Sequence, residues 1–172
     1  MKNAIIAAVG VVMMAAIVYA QKVNVDSDPA APFATYKTYT WISGIPAPDP
    51  LNEQRLHAGV DARLAARGLT ENAAQPDLAV ATHVTTMERQ EFIPGGWGYG
   101  PWWGGGFPPE LQTYVEGTLI LDLYDARTKK MVWRAVATAT ASEKPSKNAS
   151  KMNKALDKMF EKLPITSAPL KH

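Results

Sequence analysis

Two alternating stretches of sequence constrain the fold more than any other feature of this chain. Residues 113–125 and 131–141 place mostly apolar or small side chains at every second position, and a short polar link at 125–130 separates them. Alternation with a period of two is typical of half-buried β-strands. A short polar connection between two such strands predicts an antiparallel hairpin.

The sequence leaves the register of this hairpin open. One register places Leu123 opposite Trp133. In that register Asp122 faces Arg134 on the neighbouring strand, and the two side chains form an ion pair. A slip of one residue would turn them to opposite faces of the sheet and separate them.

Three stretches nearer the N-terminus predict further strands. Residues 36–42 are dense in aromatic and β-branched side chains, which favour a pleated and half-buried surface. Residues 78–85 alternate between larger and smaller side chains, and residues 23–25 form a short alternating stretch. Proline-rich and polar segments separate these stretches, as expected for turns between strands.

Two amphipathic helices are also predicted. The first spans about residues 50–67 and follows Asp49, a residue type that caps helix N-termini. Pro50 suits the first helical position, and Gly68 suits the left-handed position just after the last turn. The second helix spans about residues 148–162 and carries one broad apolar stripe.

These elements together predict an α+β fold, in which two amphipathic helices pack on one face of an antiparallel β-sheet. Alternating strands argue against a parallel sheet that is buried on both faces. We expect one domain over residues 21–172, with its core at about 23–163. A chain of this length buries enough surface to fold without a metal ion or a disulfide.

The N-terminal 20 residues have the pattern of a secretory signal peptide. Lys2 supplies a positive charge, residues 4–20 contain no charged side chain, and small residues precede the expected cleavage after Ala20. The alternative is an uncleaved membrane anchor, although six alanines and one glycine would make it a weak one. Either interpretation predicts an exported protein of the periplasm or cell envelope.

Composition excludes several classes of function. The chain has no cysteine, so disulfide scaffolds, thiolate metal sites and cysteine nucleophiles are ruled out. The 18 Lys and Arg residues are balanced by 16 Asp and Glu, which argues against binding to nucleic acid. The three histidines, at 57, 83 and 172, lack the spacing of metal ligands. No metal site or cofactor is therefore predicted.

The most unusual segment is the Gly/aromatic segment, residues 94–109. It contains seven of the 12 glycines and three of the five tryptophans of the chain. Glycine and proline disfavour a regular element here, and a loop of this length is uncommon unless it is functional or disordered. Two interpretations stay open: rings that cover part of the domain, with plain disorder as a variant, or an exposed binding platform. The candidate binding residues are Trp97, Tyr99, Trp102, Trp103 and Phe107.

The aromatic rings of this segment suggest what the protein binds. Such rings stack on sugar faces, proline-rich peptides or lipid headgroups. The expected partners are an envelope glycan, a lipid surface or another envelope protein. The segment has no Lys or Arg to hold phosphates, which excludes single-stranded nucleic acid. The sequence does not predict an oligomeric state.

A catalytic role is less well supported than binding. One alternative is a hydrolase that uses Glu116, Asp122 or His83 between the sheet and the Gly/aromatic segment. Glu116 and Asp122 alone would lie about 20 Å apart on one strand, beyond the roughly 5–9.5 Å needed for paired carboxylates. The chain has no Gly-x-Ser-x-Gly motif, and no catalytic residue is predicted. A third hypothesis is a structural subunit that pairs through an edge of its sheet.

Four motifs resemble those of the family called domain of unknown function 4136. They lie at residues 36–41, 76–78, 116–119 and 122–134, and the last of these is the specific one. The resemblance covers about residues 23–163 and implies a bacterial envelope protein with an α+β fold and no agreed activity. Many members look like lipoproteins, whereas this chain lacks the lipid-bearing cysteine, which favours a soluble or weakly tethered form. The resemblance supplies no catalytic residues.

Overall fold

A computed structural model describes residues 22–94 and 109–165. In this part of the chain, six strands form a single sheet in the order β1-β6-β5-β4-β2-β3, accompanied by two helices. The predicted signal peptide, residues 1–20, lies outside the described residues. In chain order the elements are β1 (Lys22–Ser27), β2 (Thr38–Trp41), α1 (Pro50–Ala66), β3 (Thr70–Glu71), β4 (Leu78–Ile93), β5 (Glu110–Asp125), β6 (Met131–Thr140) and α2 (Pro145–Glu161).

The predicted α+β class is confirmed, and the sheet is mixed. β1, β6, β5 and β4 pair antiparallel, whereas β2 runs parallel to both β4 and β3. The parallel pairing arises because α1 forms a crossover connection. It returns the chain from the end of β2 to the edge of the sheet where β2 began, so that β4 runs in the same direction as β2. The hairpin expected from alternation is present, and the parallel pairing of β2 with β4 depends on where α1 packs.

The predicted hairpin has the register that pairs Asp122 with Arg134. Leu123 lies opposite Trp133, and Asp122 lies opposite Arg134. A register irregularity follows between Leu123 and Tyr124, next to the turn. In that turn Lys129 has a positive φ of 61°, a conformation that the tight connection requires.

Both helices pack on the same face of the sheet. In α1, Asp49 accepts a hydrogen bond from the Leu51 amide, and Gly68 after the last turn has φ +82°, as predicted. α2 begins three residues before the expected start, at Pro145. The helices contribute the following buried residues to the core: Leu56, Val60, Leu64, Ala155, Leu156, Met159 and Phe160.

β4 and β5 extend well beyond their predicted ends. The alternation indicated a strand end near residue 85 and a start near residue 113, yet β4 continues to Ile93 and β5 starts at Glu110. Their pairing is regular over all 16 residues of each strand. The outer part of this hairpin, residues 87–93 and 110–116, is called the β4–β5 arm below.

Candidate functional site

The five candidate binding residues of the Gly/aromatic segment lie outside the described residues. In the sequence they fall between β4 and β5, so the described structure that borders them on both sides is the β4–β5 arm. The residues are Trp97, Tyr99, Trp102, Trp103 and Phe107.

The arm exposes apolar side chains to solvent. Phe92 and Leu111 lie directly opposite each other and are 61% and 66% exposed. On the other face of the ribbon, Met87 is 58% exposed. Ile93 and Val115 are also exposed, so both faces carry apolar surface. A concentration of exposed apolar side chains on one projecting element is typical of an interaction surface.

The backbone edges of the arm are open within the described part of the chain. On one side, pairing with β6 ends at Glu116 and Thr140, although Val115 still accepts from the amide of Ala141. On the other side, the last partner of β4 is Ile45, whose carbonyl accepts from the Val84 amide. Beyond these points β4 and β5 pair only with each other in the described ranges. An open strand edge is a template for pairing with another chain.

The arm carries net negative charge. It contains four glutamates, at 88, 91, 110 and 116, and one arginine, at 89, which gives a formal charge of −3. Arg89 donates to Glu116 across the strands at 3.2 Å, and both side chains are partly exposed. Residues 95–108 contain no charged side chain. An anionic surface would therefore repel this part of the protein.

A polar cluster lies around Asp122, on the sheet face opposite the helices. The Asp122 side chain is fully buried, and both of its oxygens accept from Arg134, from Nε at 2.7 Å and from Nη2 at 2.7 Å. The Tyr124 hydroxyl lies 3.4 Å from Oδ2, and His83 Nε2 lies 3.5 Å from the same oxygen. The hydrogen bond to Asp122 raises the pKa of Arg134, and burial raises the pKa of Tyr124.

The structure brings together only two of the three residues named in the hydrolase hypothesis. His83 and Asp122 come together, but Glu116 lies six residues from Asp122 along β5 and pairs with Arg89 instead. The bidentate contact with Arg134 occupies both oxygens of Asp122, which stabilises the carboxylate as an ion-pair partner. In the structure the cluster therefore centres on a fixed ion pair between β5 and β6.

A cavity of about 300 Å³ lies on the helix-covered face, between both helices and the sheet. Its base includes Leu56, Ala137 and Ala155, all at most 3% exposed, and Asp49 lies at its exposed rim. Sequence reasoning missed this cavity. The available signal was the series of small residues at alternate positions of β6, opposite Gly117 of β5.

The remaining histidine of the described chain has a structural role. The His57 ring stacks on Trp41 with centroids 3.9 Å apart, and Nε2 lies 2.9 Å from Glu53 Oε1. Across residues 22–94 and 109–165, no three His, Asp or Glu side chains are grouped as metal ligands would be. In the same ranges, no helix combines the length and apolar character needed to cross a membrane.

Solved structures that are similar to this chain include two bacterial proteins. A PDZ domain protein from Parabacteroides distasonis ATCC 8503 aligns with a TM-score of 0.55 and 18% identity, over 86% of this chain and 36% of that one. A PelC dodecamer subunit from Paraburkholderia phytofirmans aligns with a TM-score of 0.48 and 17% identity, over 82% and 99% of the two chains. The chain thus spans about a third of the PDZ domain protein. At 18% identity, the likeness to the PDZ domain protein shows the fold alone.

No curated protein matches this chain. The family described as a domain of unknown function (DUF4136) matches residues 23–165, which is nearly all of the chain after the predicted signal peptide. The resemblance read from the four sequence motifs is confirmed by this match. The chain belongs to the DUF4136 family.

Proposed function

We propose that this protein is an exported bacterial envelope module without catalytic activity, which binds another envelope protein through the β4–β5 arm and the adjoining Gly/aromatic segment. The observation that carries the proposal is the arm itself. The arm has exposed apolar side chains and open backbone edges. It extends beyond the part of the sheet that pairs with β6 and packs in the core.

The open edge of β4 favours strand pairing with the partner. Val84 donates its amide to Ile45, while Val80 and Thr82 offer their carbonyls to the same neighbouring segment. Because antiparallel ladders alternate, even-numbered residues of β4 direct their backbone groups away from β5. Continuing this alternation, Gln90 directs its amide to the open edge. A partner strand would pair there, and pockets for alternate side chains would supply specificity.

A protein partner fits the surface better than a lipid surface does. The net charge of −3 on the arm opposes an anionic leaflet, whereas polybasic segments are the usual adaptation to one. An envelope glycan remains the second candidate, favoured by the aromatic composition of residues 97–107 and their ability to stack on sugar rings.

Strand pairing can be tested by crosslinking in envelope extract with matched variants at one position. Gln90→Pro removes the outward amide but leaves the ladder to β5 intact, and Gln90→Ala keeps the amide. We expect the wild type and Gln90→Ala to capture the same partner and Gln90→Pro to lose it. The double variant Trp102→Ala/Trp103→Ala measures the contribution of the aromatic segment.

Two outcomes would contradict the proposal. If Gln90→Pro captured the partner as well as Gln90→Ala did, the edge of β4 would have no role. If only purified glycan, and no protein, bound in a manner sensitive to Trp102→Ala/Trp103→Ala, the second candidate would replace the first. Export is tested separately by cell fractionation, with a mature N-terminus at Gln21 as the expected result.

A further inference from the structure

We propose that the cavity between the helices and the sheet binds one linear aliphatic chain of roughly ten carbon atoms, that of a free medium-chain fatty acid. Apolar cavities of about 150 Å³ hold a molecule the size of benzene, so about 300 Å³ accommodates roughly twice as many carbons. The proposal does not depend on the β4–β5 arm or on the identity of its partner.

The lining explains why the ligand is aliphatic. None of the described residues that line the cavity is aromatic, and most are small or aliphatic, which offers neither ring stacking nor many hydrogen bonds to a polar ligand. Val84, Leu119 and Met152 line it together with several alanines. Flexible Met side chains adapt to irregular apolar ligands.

Small residues keep the cavity from closing. Ala137 and Ala139 of β6 and Gly117 of β5 lie beside one another on the helix-covered face and line the cavity. A Cβ atom added at Gly117 would meet only the backbone oxygen of Ala139, at 3.7 Å, so larger side chains would fit there. The cavity opens to solvent at its rim, so a ligand could enter it and place an apolar chain against these small residues.

The rim explains why the ligand has an acidic head. Among the described residues of the lining, Lys151 is the only cation, and its Nζ donates to the carbonyl of Thr140 at 2.6 Å. Asp49 is the only anion that the described part of the chain contributes to the lining, and its carboxylate accepts from the Leu51 amide as the cap of α1. The Asn52 and Asn148 side chains add polar groups to the lining. A carboxylate at this rim would lie near an ammonium group and polar amides.

Calorimetric titration of the purified chain with decanoate, below its micelle concentration, tests the site. Gly117→Val directs a side chain into the cavity, whereas Thr138→Val introduces valine on the opposite face of the sheet, at a residue that does not line the cavity. We expect saturable binding to the wild type and to Thr138→Val, and at least tenfold weaker binding to Gly117→Val without a fall in Tm. Butyrate should bind far more weakly, because each buried methylene contributes about a fourfold factor.

Other results would overturn the proposal. Absence of saturable decanoate binding, or equal binding to Gly117→Val, would remove the site. Tighter binding of a decanoyl lysophospholipid than of decanoate would assign the chain to a lipid rather than to a free acid. Binding that required replacement of residues 95–108 by a Gly-Ser linker would show that this segment of the chain occupies the cavity.

Discussion

The two halves of the β4–β5 hairpin share a register but have different surroundings. At the base, Leu121 and Leu123 are fully buried beneath the helices, and neighbouring strands flank the hairpin on both sides. In the arm, Phe92 and Leu111 are more than 60% exposed, and the described residues provide no flanking strand. The base therefore stabilises the domain. The arm adds little to that stability, which leaves its surface available for binding.

Truncating a core side chain at the base should have the largest effect. Leu123→Ala removes a fully buried side chain opposite Trp133 and should lower the free energy of unfolding by about 3–4 kcal/mol. Urea denaturation measures this change. A loss below about 1 kcal/mol would mean that the base does not hold the core as the packing indicates.

The ion pair of the base should contribute more to the free energy of unfolding than the ion pair of the arm does. Arg134→Leu leaves the buried Asp122 carboxylate without its bidentate partner and should lower the free energy of unfolding by about 2–3 kcal/mol. The matched change in the arm, Arg89→Leu, breaks a partly exposed pair with Glu116 and should change it by about 0–1 kcal/mol. Equal losses in urea denaturation would contradict the difference between the two regions.

An alkaline loss of stability should originate at the base. Burial, together with the hydrogen bond to Asp125, raises the pKa of Tyr36 to about 12. Because the folded-state pKa exceeds the unfolded value of about 10, this contribution is complete below pH 10 and is lost as the pH rises to 12. Between pH 10 and 12, the free energy of unfolding of Tyr36→Phe should therefore decrease less than that of the wild type. The difference between the two decreases should be on the order of 2 kcal/mol. Parallel curves for the two proteins would exclude this origin.

Changes in the exposed apolar surface of the arm should have the smallest effect on folding. Leu111→Ser alters a side chain that is 66% exposed, so the free energy of unfolding should stay within about 0.5 kcal/mol of the wild type. Its stability should also follow the wild-type curve between pH 10 and 12. A loss comparable to that of Leu123→Ala would show that the arm is covered by packing and is not an open surface.

Local sequence pattern was enough to predict most elements of this fold. Three features depend on neighbours within a few residues, and all three are as predicted. They are the N-terminal cap of α1 at Asp49, the end of α1 before Gly68, and the alternation of side chains between the two faces of β5. The ion pair of Asp122 and Arg134 was predicted only conditionally, because each side chain fits its strand in any register. The packing of the core determined which register the β5–β6 hairpin adopts.

Tertiary structure alone decided the β4–β5 arm and the cavity, which the two proposals use. Residues 86–93 lack an apolar stripe, so the extension of β4 follows from its pairing with β5 rather than from periodicity. The parallel pairing of β2 and the cavity under the helices follow from how distant segments pack. Local pattern specifies which side of an element is apolar. What that side contacts depends on residues far away in the chain, so it is determined only when the whole domain assembles.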